Sequence, residues 1–550
     1  MSEGRTSVIG GEASARGLFG GRRNRARGIA VSIAAVFGGF LTLSLGDARL
    51  VGFAIMLGLI GLAWLGTAGT HNGSIAQRAI TRARWKDTDK TGQRNFVPFN
   101  EPVWTAMSDA YFGAADKENK ASVWRDMVAM REWPDGIIGM QWLQEEYGKP
   151  GIAWHRPPGE EAYLSVVFST NGQIAGMESN SYLDYSAQAF GEVLNKLGAA
   201  GSLVRRVQSV TRLMAIDSAR HEHWIRDNLD AAAPDEFQES YEEVIAELRD
   251  NQVGQRHMFA FVWPTNGDFL ARADRYGEDR DGWIALMNQE IARVLSALRT
   301  AGFLDVKILS AKKVSAVLRH MQHPDFPIDR VVDIDTLSDA WMPSSMDYSY
   351  VTTYGAPKLH DPGHVTSWLT RTARISAPNL NVAARGSLWL VPLLTGLGLQ
   401  IVRTIAFHIE LIPQQDARDQ AEQDTVSDLT DMRTRARKGQ LVDQTTSTEL
   451  AGAQIRARDL GPGKSHQGAA WVGYITISAR TRDELMHAVD AIEAAAGGQP
   501  AIRSLEWLDT QQAAAAANTW PVGRGIKASK RLASARARDL LAGNGSKEEL

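Results

Sequence analysis

Gly461-Pro462-Gly463-Lys464-Ser465 ends as a phosphate-binding loop ends, in Gly-Lys-Ser. There, backbone N–H groups and a lysine would cradle phosphates. Such a loop needs a glycine five places before Gly463, and Arg458 stands in that place. The segment ahead is polar and helix-like where a strand is required, so the five residues read as a surface loop. No other GxxxxGK[ST] or GxGxxG occurs. The histidines offer two metal candidates. His221-Glu222-His223 has i,i+2 spacing, which splays two ligands apart on a helix and is not H-E-x-x-H. His320 and His323, in LRHMQHPD, could share one side of a helix. The chain has no cysteine, which removes thiolate ligands, thiol catalysis and disulfides together. Asp333-Ile334-Asp335 resembles the DxD of metal-dependent sugar transferases, a spacing that arises often by chance. No GxSxG elbow is present. The expectation is therefore no catalytic, cofactor-binding or metal residue, no cofactor, and a chain that is not an enzyme.

The elements that would carry any function begin with two apolar runs, Gly28–Leu45 and Leu50–Ala68, neither holding a charged side chain. Each is roughly 18 to 20 residues, the length of a membrane-crossing helix. Gly46-Asp47-Ala48-Arg49 makes a short polar turn between them. Arg16, Arg22, Arg23, Arg25 and Arg27 precede the pair, and Arg78, Arg82, Arg84 and Lys86 follow it. By the positive-inside rule this predicts a transmembrane helical hairpin in the plasma membrane, with both termini and the bulk of the chain cytoplasmic. A signal peptide is the bland alternative for the first run, but a second full-length run follows at once.

Behind the hairpin a rhythm of strands and helices recurs. Ala162–Ser169 reads as a strand, Tyr182–Leu197 as a helix and Leu203–Leu213 as a strand. His257–Trp263, Gly282–Thr300 and Asp305–Leu309 repeat the pattern. Near the end, Trp471–Ser478 alternates, Thr481–Glu484 reads as a capping box, and Ala501–Leu505 closes a third unit. The predicted fold class is a membrane α-hairpin followed by α+β, with repeated split-βαβ, ferredoxin-like units and a charged helical arm over Ala417–Ala457, lacking a P-loop ATPase domain. Leu388–Gly398 is apolar but too short for a third span and contains Pro392, so it reads as a buried segment.

The implied organisation is a disordered basic arm (1–27), the hairpin (28–69) and a Trp-rich connector (70–160). An α+β domain with two strand–helix–strand units follows (161–330), then an α+β domain with the charged arm (331–520) and a basic tail (521–550). At 550 residues and 44% apolar content the chain can bury large cores. Its net charge of −3 leaves no global nucleic-acid signature. Basic residues gather at the ends, with Arg524, Lys527, Lys530, Arg531, Arg536, Arg538 and Lys547 in the last stretch. Such a basic, Ala/Ser-rich tail reads as a solvated helix or disordered end, with contact to anionic lipid or passing DNA as the alternative.

Several segments together carry a resemblance. They are Arg256-His257 opening HMFAFVW, the run Glu290–Pro324 with its Leu-rich helix, AG turn, strand and LRxxxxP ending, and Ile401–Gln415. Thr448–Ser478 and the closing NTWPVGRG, Asn518–Gly525, complete the set. In this order and spacing the chain resembles the actinobacterial PrgI-like, conjugation-associated two-span membrane proteins. Their soluble part is similar to the N-terminal region of the VirB-type secretion ATPase. Asp347–Leu388 departs from the family's compact aromatic-rich strand. No catalytic residue carries over, because in the ATPase the nucleotide site lies in a further domain. The resemblance implies a non-enzymatic inner-membrane subunit of a type IV secretion-like conjugation apparatus that docks a separate VirB-type ATPase at the cytoplasmic face. Its implied partners are that ATPase, other channel subunits and the lipid bilayer, in an oligomeric assembly with transient DNA contact. Two alternatives stay open: a core membrane subunit of a type VII secretion complex, and a membrane-tethered enzyme with no recognisable motif.

Overall fold

A computed structural model describes residues 7–9, 21–44, 49–66, 69–70, 73–173, 178–215, 224–225, 227–228, 234–251, 253–355, 365–381, 383–395, 397, 401–419, 454–455, 458–461 and 466–524. The two apolar runs form helices α1 (Gly21–Ser44) and α2 (Arg49–Gly66). They touch closely where Gly38 faces Met56, so that a Cβ at position 38 would overlap the Met56 side chain. The expected transmembrane hairpin, and the plasma-membrane placement built on it, are corrected here. Among the described residues no helix is long and apolar enough to cross a membrane. Helix α1 spends its first turns on Arg22, Arg23, Arg25 and Arg27, and α2, at 18 residues, rises only about 27 Å against ~30 Å of hydrocarbon. The fold class is α+β, built on a 14-stranded sheet rather than on a membrane hairpin.

The sheet starts with two short strands, β1 (Asn95–Pro98) and β2 (Met130–Arg131), which pair in parallel. A hairpin of β3 (Met140–Gln144) and β4 (Ile152–His155) leads into β5 (Tyr163–Thr170). Seven of the eight β5 residues are buried, as a central strand covered on both faces requires. Helix α3 (Asn180–Gly198) follows, opened by Ser179, whose side chain accepts from Tyr182 N. Then come β6 (Arg206–Ala215), helix α4 (Asp235–Asn251), β7 (Val253–Pro264), helix α5 (Asp279–Thr300) and β8 (Lys307–Ile308). Helix α6 (Ala311–Gln322) closes this half.

The same order then returns. A hairpin of β9 (Ser344–Met346) and β10 (Val351–Tyr354) leads into β11 (Ser367–Ile375). After an irregular crossover come β12 (Val402–Ile412), β13 (Gly468–Ala479), helix α7 (Arg482–Gly497) and β14 (Glu506–Trp507), with the short helix α8 (Gln512–Ala516) behind them. Thr481 and Glu484 form a reciprocal capping box on α7. Strand order is β8-β5-β7-β6 in the first half and β14-β11-β13-β12 in the second, the order of a split βαβ unit in both. The halves join through antiparallel β6 and β12, in register from Arg403↔Leu213 to Glu410↔Arg206.

The complete path runs β2-β1-β9-β10-β11-β13-β12-β6-β7-β5-β4-β3. Its two edge strands are close neighbours in sequence, since β2 ends at Arg131 and β3 begins at Met140. Nine residues reach at most ~32 Å, whereas twelve strands laid flat would separate the edges by about 53 Å. The sheet must therefore curl. One hydrophobic cluster confirms it, joining Phe96 of β1, Met140 of β3, Val210 of β6 and Ala406 of β12 with Val314, Val317, Leu318 and Met321 of α6. Helix α6 lies inside the curl, and ten of its twelve residues are buried. A second cluster packs α3 and α5 on the outer face of the first half, and a third packs α7 on the outer face of the second. Leu388–Gly398 holds a short helix, Val391–Leu394, whose free carbonyls are capped by buried Arg403, with Nε donating to Leu393 O at 2.9 Å and Nη2 to Leu394 O at 2.7 Å.

Candidate functional site

The closing motif crosses the seam between the halves. On β6 and β12 the inward positions alternate with those packed on α3 and α7, because successive strand residues face opposite sides. Pairing across the seam sets Gln208 opposite His408, Val210 opposite Ala406 and Arg212 opposite Thr404. The polar four are fully buried. Gln208 Nε2 donates to Trp520 O at 2.8 Å and to Asn518 O at 3.2 Å, and its Oε1 accepts from Gly523 N at 2.7 Å. His408 Nε2 bonds Asn518 O at 2.7 Å. Thr372, Thr476 and Thr519 form a hydroxyl ladder with 2.9 Å steps that ends on Ala516 O. Tyr163 Oη donates to Val522 O at 3.1 Å, and Arg206 Nη1 to Gly523 O at 2.6 Å. Asn518–Gly523 is thus a clasp tied to both halves.

Electrostatics follow from burial. His408, His155 and His320 are each pushed down to about 3, with desolvation the largest cause. Each keeps one bonded ring nitrogen and one buried nitrogen without a partner, which is the pattern of a neutral imidazole. Burial lowers Arg212 to about 9. Its Nη1 donates to Thr404 Oγ1 at 2.8 Å, while Nε and Nη2 have no partner.

The candidates from sequence separate under this geometry. His320 Nδ1 donates to Phe326 O at 2.7 Å, and His323 Nε2 lies 3.3 Å from Thr366 O; neither meets a carboxylate set. Asp333 is held by Arg319 Nη2 at 2.9 Å, a hydrogen bond that keeps its carboxyl below the usual range. Asp335 pairs with Lys312 at 3.2 Å, so the two aspartates serve different ion pairs. Among the described residues no three His, Asp or Glu side chains gather as metal ligands. His221-Glu222-His223 and Pro462–Ser465 lie outside the described residues, as do most of the charged arm, 420–453, and the basic tail, 525–550.

A cavity of about 30 Å³ sits between Arg94, Arg131, Thr353, Thr370 and Trp520, room for a water and far too small for a nucleotide. The residues that sequence reasoning missed are Gln208, Arg212, Thr404 and His408. Their signal was faint but present: each strand carries two polar residues at i and i+4 on the face that also holds Val210 or Ala406. Gln208 and His408 spend their donors on main-chain carbonyls, and Arg212 Nη1 spends its own on the Thr404 hydroxyl. No protein-family model matches the chain, and no curated protein matches it.

Proposed function

We propose that the chain is a non-enzymatic docking subunit of a type IV secretion-like conjugation apparatus, on which a separate VirB-type ATPase and other channel subunits assemble. The observation that carries the reading is the clasp. The segment Asn518–Gly523, part of the closing motif of the resemblance, is consumed in joining two similar halves through Gln208 and His408. A polar interior used in this way leaves the outer surfaces and insertions as the working parts. Of the other segments of the resemblance, the described residues fall largely on β7, the α5–β8–α6 run, β12 and β13.

The test is co-expression of the full chain with a VirB-type ATPase encoded beside it, followed by affinity purification and an ATP-hydrolysis assay. The expected result is a stoichiometric complex in which all hydrolysis belongs to the ATPase. Failure to co-purify would sink the docking role. Turnover by the chain alone, abolished by Asp333→Asn with Asp335→Asn, would replace it with an enzymatic one.

A further inference from the structure

Arg212 is fully buried on the inner face of β6 and pairs with no carboxylate. Its Nη1 donates to Thr404 Oγ1 at 2.8 Å, while Nε and Nη2 have no partner. Burial lowers it only to about 9, so it keeps its charge at neutral pH. The carboxylates are engaged elsewhere. Arg256, its neighbour on β7, reaches Asp329 at 3.3 Å, and Lys313 of α6 holds the same carboxylate at 2.6 Å. Glu290, the one buried carboxylate among the described residues, sits on α5 outside the curl, against Trp263 and Arg293. A charge in a dry interior is costly unless paired, and Arg212 has only a hydroxyl.

Space lies one side chain away. Thr404 Oγ1 is 3.8 Å from Met321 Sδ, and Met321 also lines the cavity of about 30 Å³. That volume holds about two waters, enough for a chloride ion and too little for a sulfate. The three rotatable bonds of Met321 allow it to yield to either side. Arg94 and Arg131 line the same cavity. Each keeps a terminal nitrogen on an aspartate, Asp89 and Asp135, and each has a buried Nε without a partner. Both side chains are partly exposed, so guanidiniums line the way in from solvent.

We propose that Arg212 and this cavity form a binding site for a small inorganic monoanion of halide size. The Arg212 Nε and Nη2 groups are its donors, and Arg94 and Arg131 attract it inward. Charge-assisted N–H donors are strong partners for an anion inside a protein. A water would satisfy the same N–H groups and leave the charge uncompensated, which is the distinction the experiment must read. The site stands whichever assembly the chain serves.

The test uses the full chain in sodium gluconate, titrated with sodium chloride at constant ionic strength. The chloride NMR line width reports ions held by the protein. The expected result is excess broadening that saturates, is displaced by bromide and is not displaced by sulfate. The urea midpoint should rise over the same chloride range, because the ion binds the folded chain. Arg212→Met replaces the charge with an apolar side chain and should lower chloride affinity by about tenfold or more. Its urea midpoint should no longer respond to chloride. Arg94→Gln with Arg131→Gln leaves Arg212 in place and should weaken binding several-fold, which keeps the proposal testable if the Arg212 variant does not fold. Broadening that never saturates, that sulfate displaces equally or that survives Arg212→Met would mean surface ions only. Absence of excess broadening would mean that water alone meets these N–H groups. Either result overturns the proposal.

Discussion

Gln208→Leu should release the clasp without unfolding the sheet. The substitution keeps the volume and removes three hydrogen bonds: to Trp520 O, to Asn518 O and from Gly523 N. The groups left behind are not equal. Asn518 O still accepts from His408 Nε2, and Trp520 O still accepts from Val522 N. Only the Gly523 N–H is stranded. Two lost bonds to acceptors that keep another donor cost about 0.5 kcal/mol each, and a stranded buried N–H costs about 2 kcal/mol, for a total of about 3 kcal/mol. That raises the open population of the clasp on the order of 100-fold. Hydrogen exchange followed by mass spectrometry reads it at the Trp520 and Val522 amides, whose own acceptors, Ala517 O and Trp520 O, are unchanged by the substitution. Amides in β13 should keep their protection. A change below about fivefold at Trp520 and Val522 would refute the idea that Gln208 holds the segment.

Two further perturbations probe the same region. Gly523 has φ 73° and a Cβ there would run into the Val262 side chain, so Gly523→Ala should cost about 3 kcal/mol, from the left-handed backbone and the overlap together. Gly148 has φ 76° but open space around it, so Gly148→Ala should cost only about 1 kcal/mol; urea midpoints of the two variants should differ accordingly. The three buried histidines make the fold acid-sensitive. Their folded-state pKa of about 3 lies below the unfolded value of 6.5, so the unfolded chain binds protons first, and stability present above pH 6.5 is lost as pH falls toward 3. At pH 4.5 each contributes a loss of about 3 kcal/mol. His408→Gln removes one titration, and its acid-unfolding midpoint should lie at lower pH than the parent's; a midpoint that does not move would show that His408 is not buried as a neutral ring.

Strand positions were legible where β-branched and aromatic residues run together, as in His257–Trp263 and Trp471–Ser478, and the α7 capping box was readable from Thr481 and Glu484 alone. Their grouping was not. The first two strand–helix–strand runs are two parts of one unit, and only pairing of β5 with β7 reveals it. The second unit hides because its crossover between β11 and β12 lacks a long periodic helix, running instead through the 3₁₀ turn Ala377–Asn379 and the four-residue helix Val391–Leu394. Helix α6 conceals its burial behind Ser315, Arg319, His320 and Gln322, polar residues that find main-chain or carboxylate partners inside the curl or, as with Ser315, are simply enclosed. The two N-terminal apolar runs misled in the other direction. Run length and flanking charge argued for membrane spans, and no helix among the described residues is long and apolar enough for one. The clasp was out of reach for a simpler reason: Gln208 bonds atoms more than 300 residues away.

The register of the seam decides where the insertions leave the body. Chain 216–252 begins at the end of β6, and 413–467 begins at the end of β12. Because β6 and β12 are antiparallel, those two departures lie at opposite rims of the sheet, roughly 36 Å apart along the strands. The two rims are joined along the paired backbone of β6 and β12, and one half can slide on the other only if that ladder breaks. The clasp lies over this path from inside the curl. Gln208 grips it from β6 and His408 from β12, at directly paired positions on either side of the seam. A residue that merely filled the core would not need to hydrogen-bond the same segment from both halves. The placement of these two side chains, more than their number, argues that the join between the halves is built to keep the two rims in fixed relation.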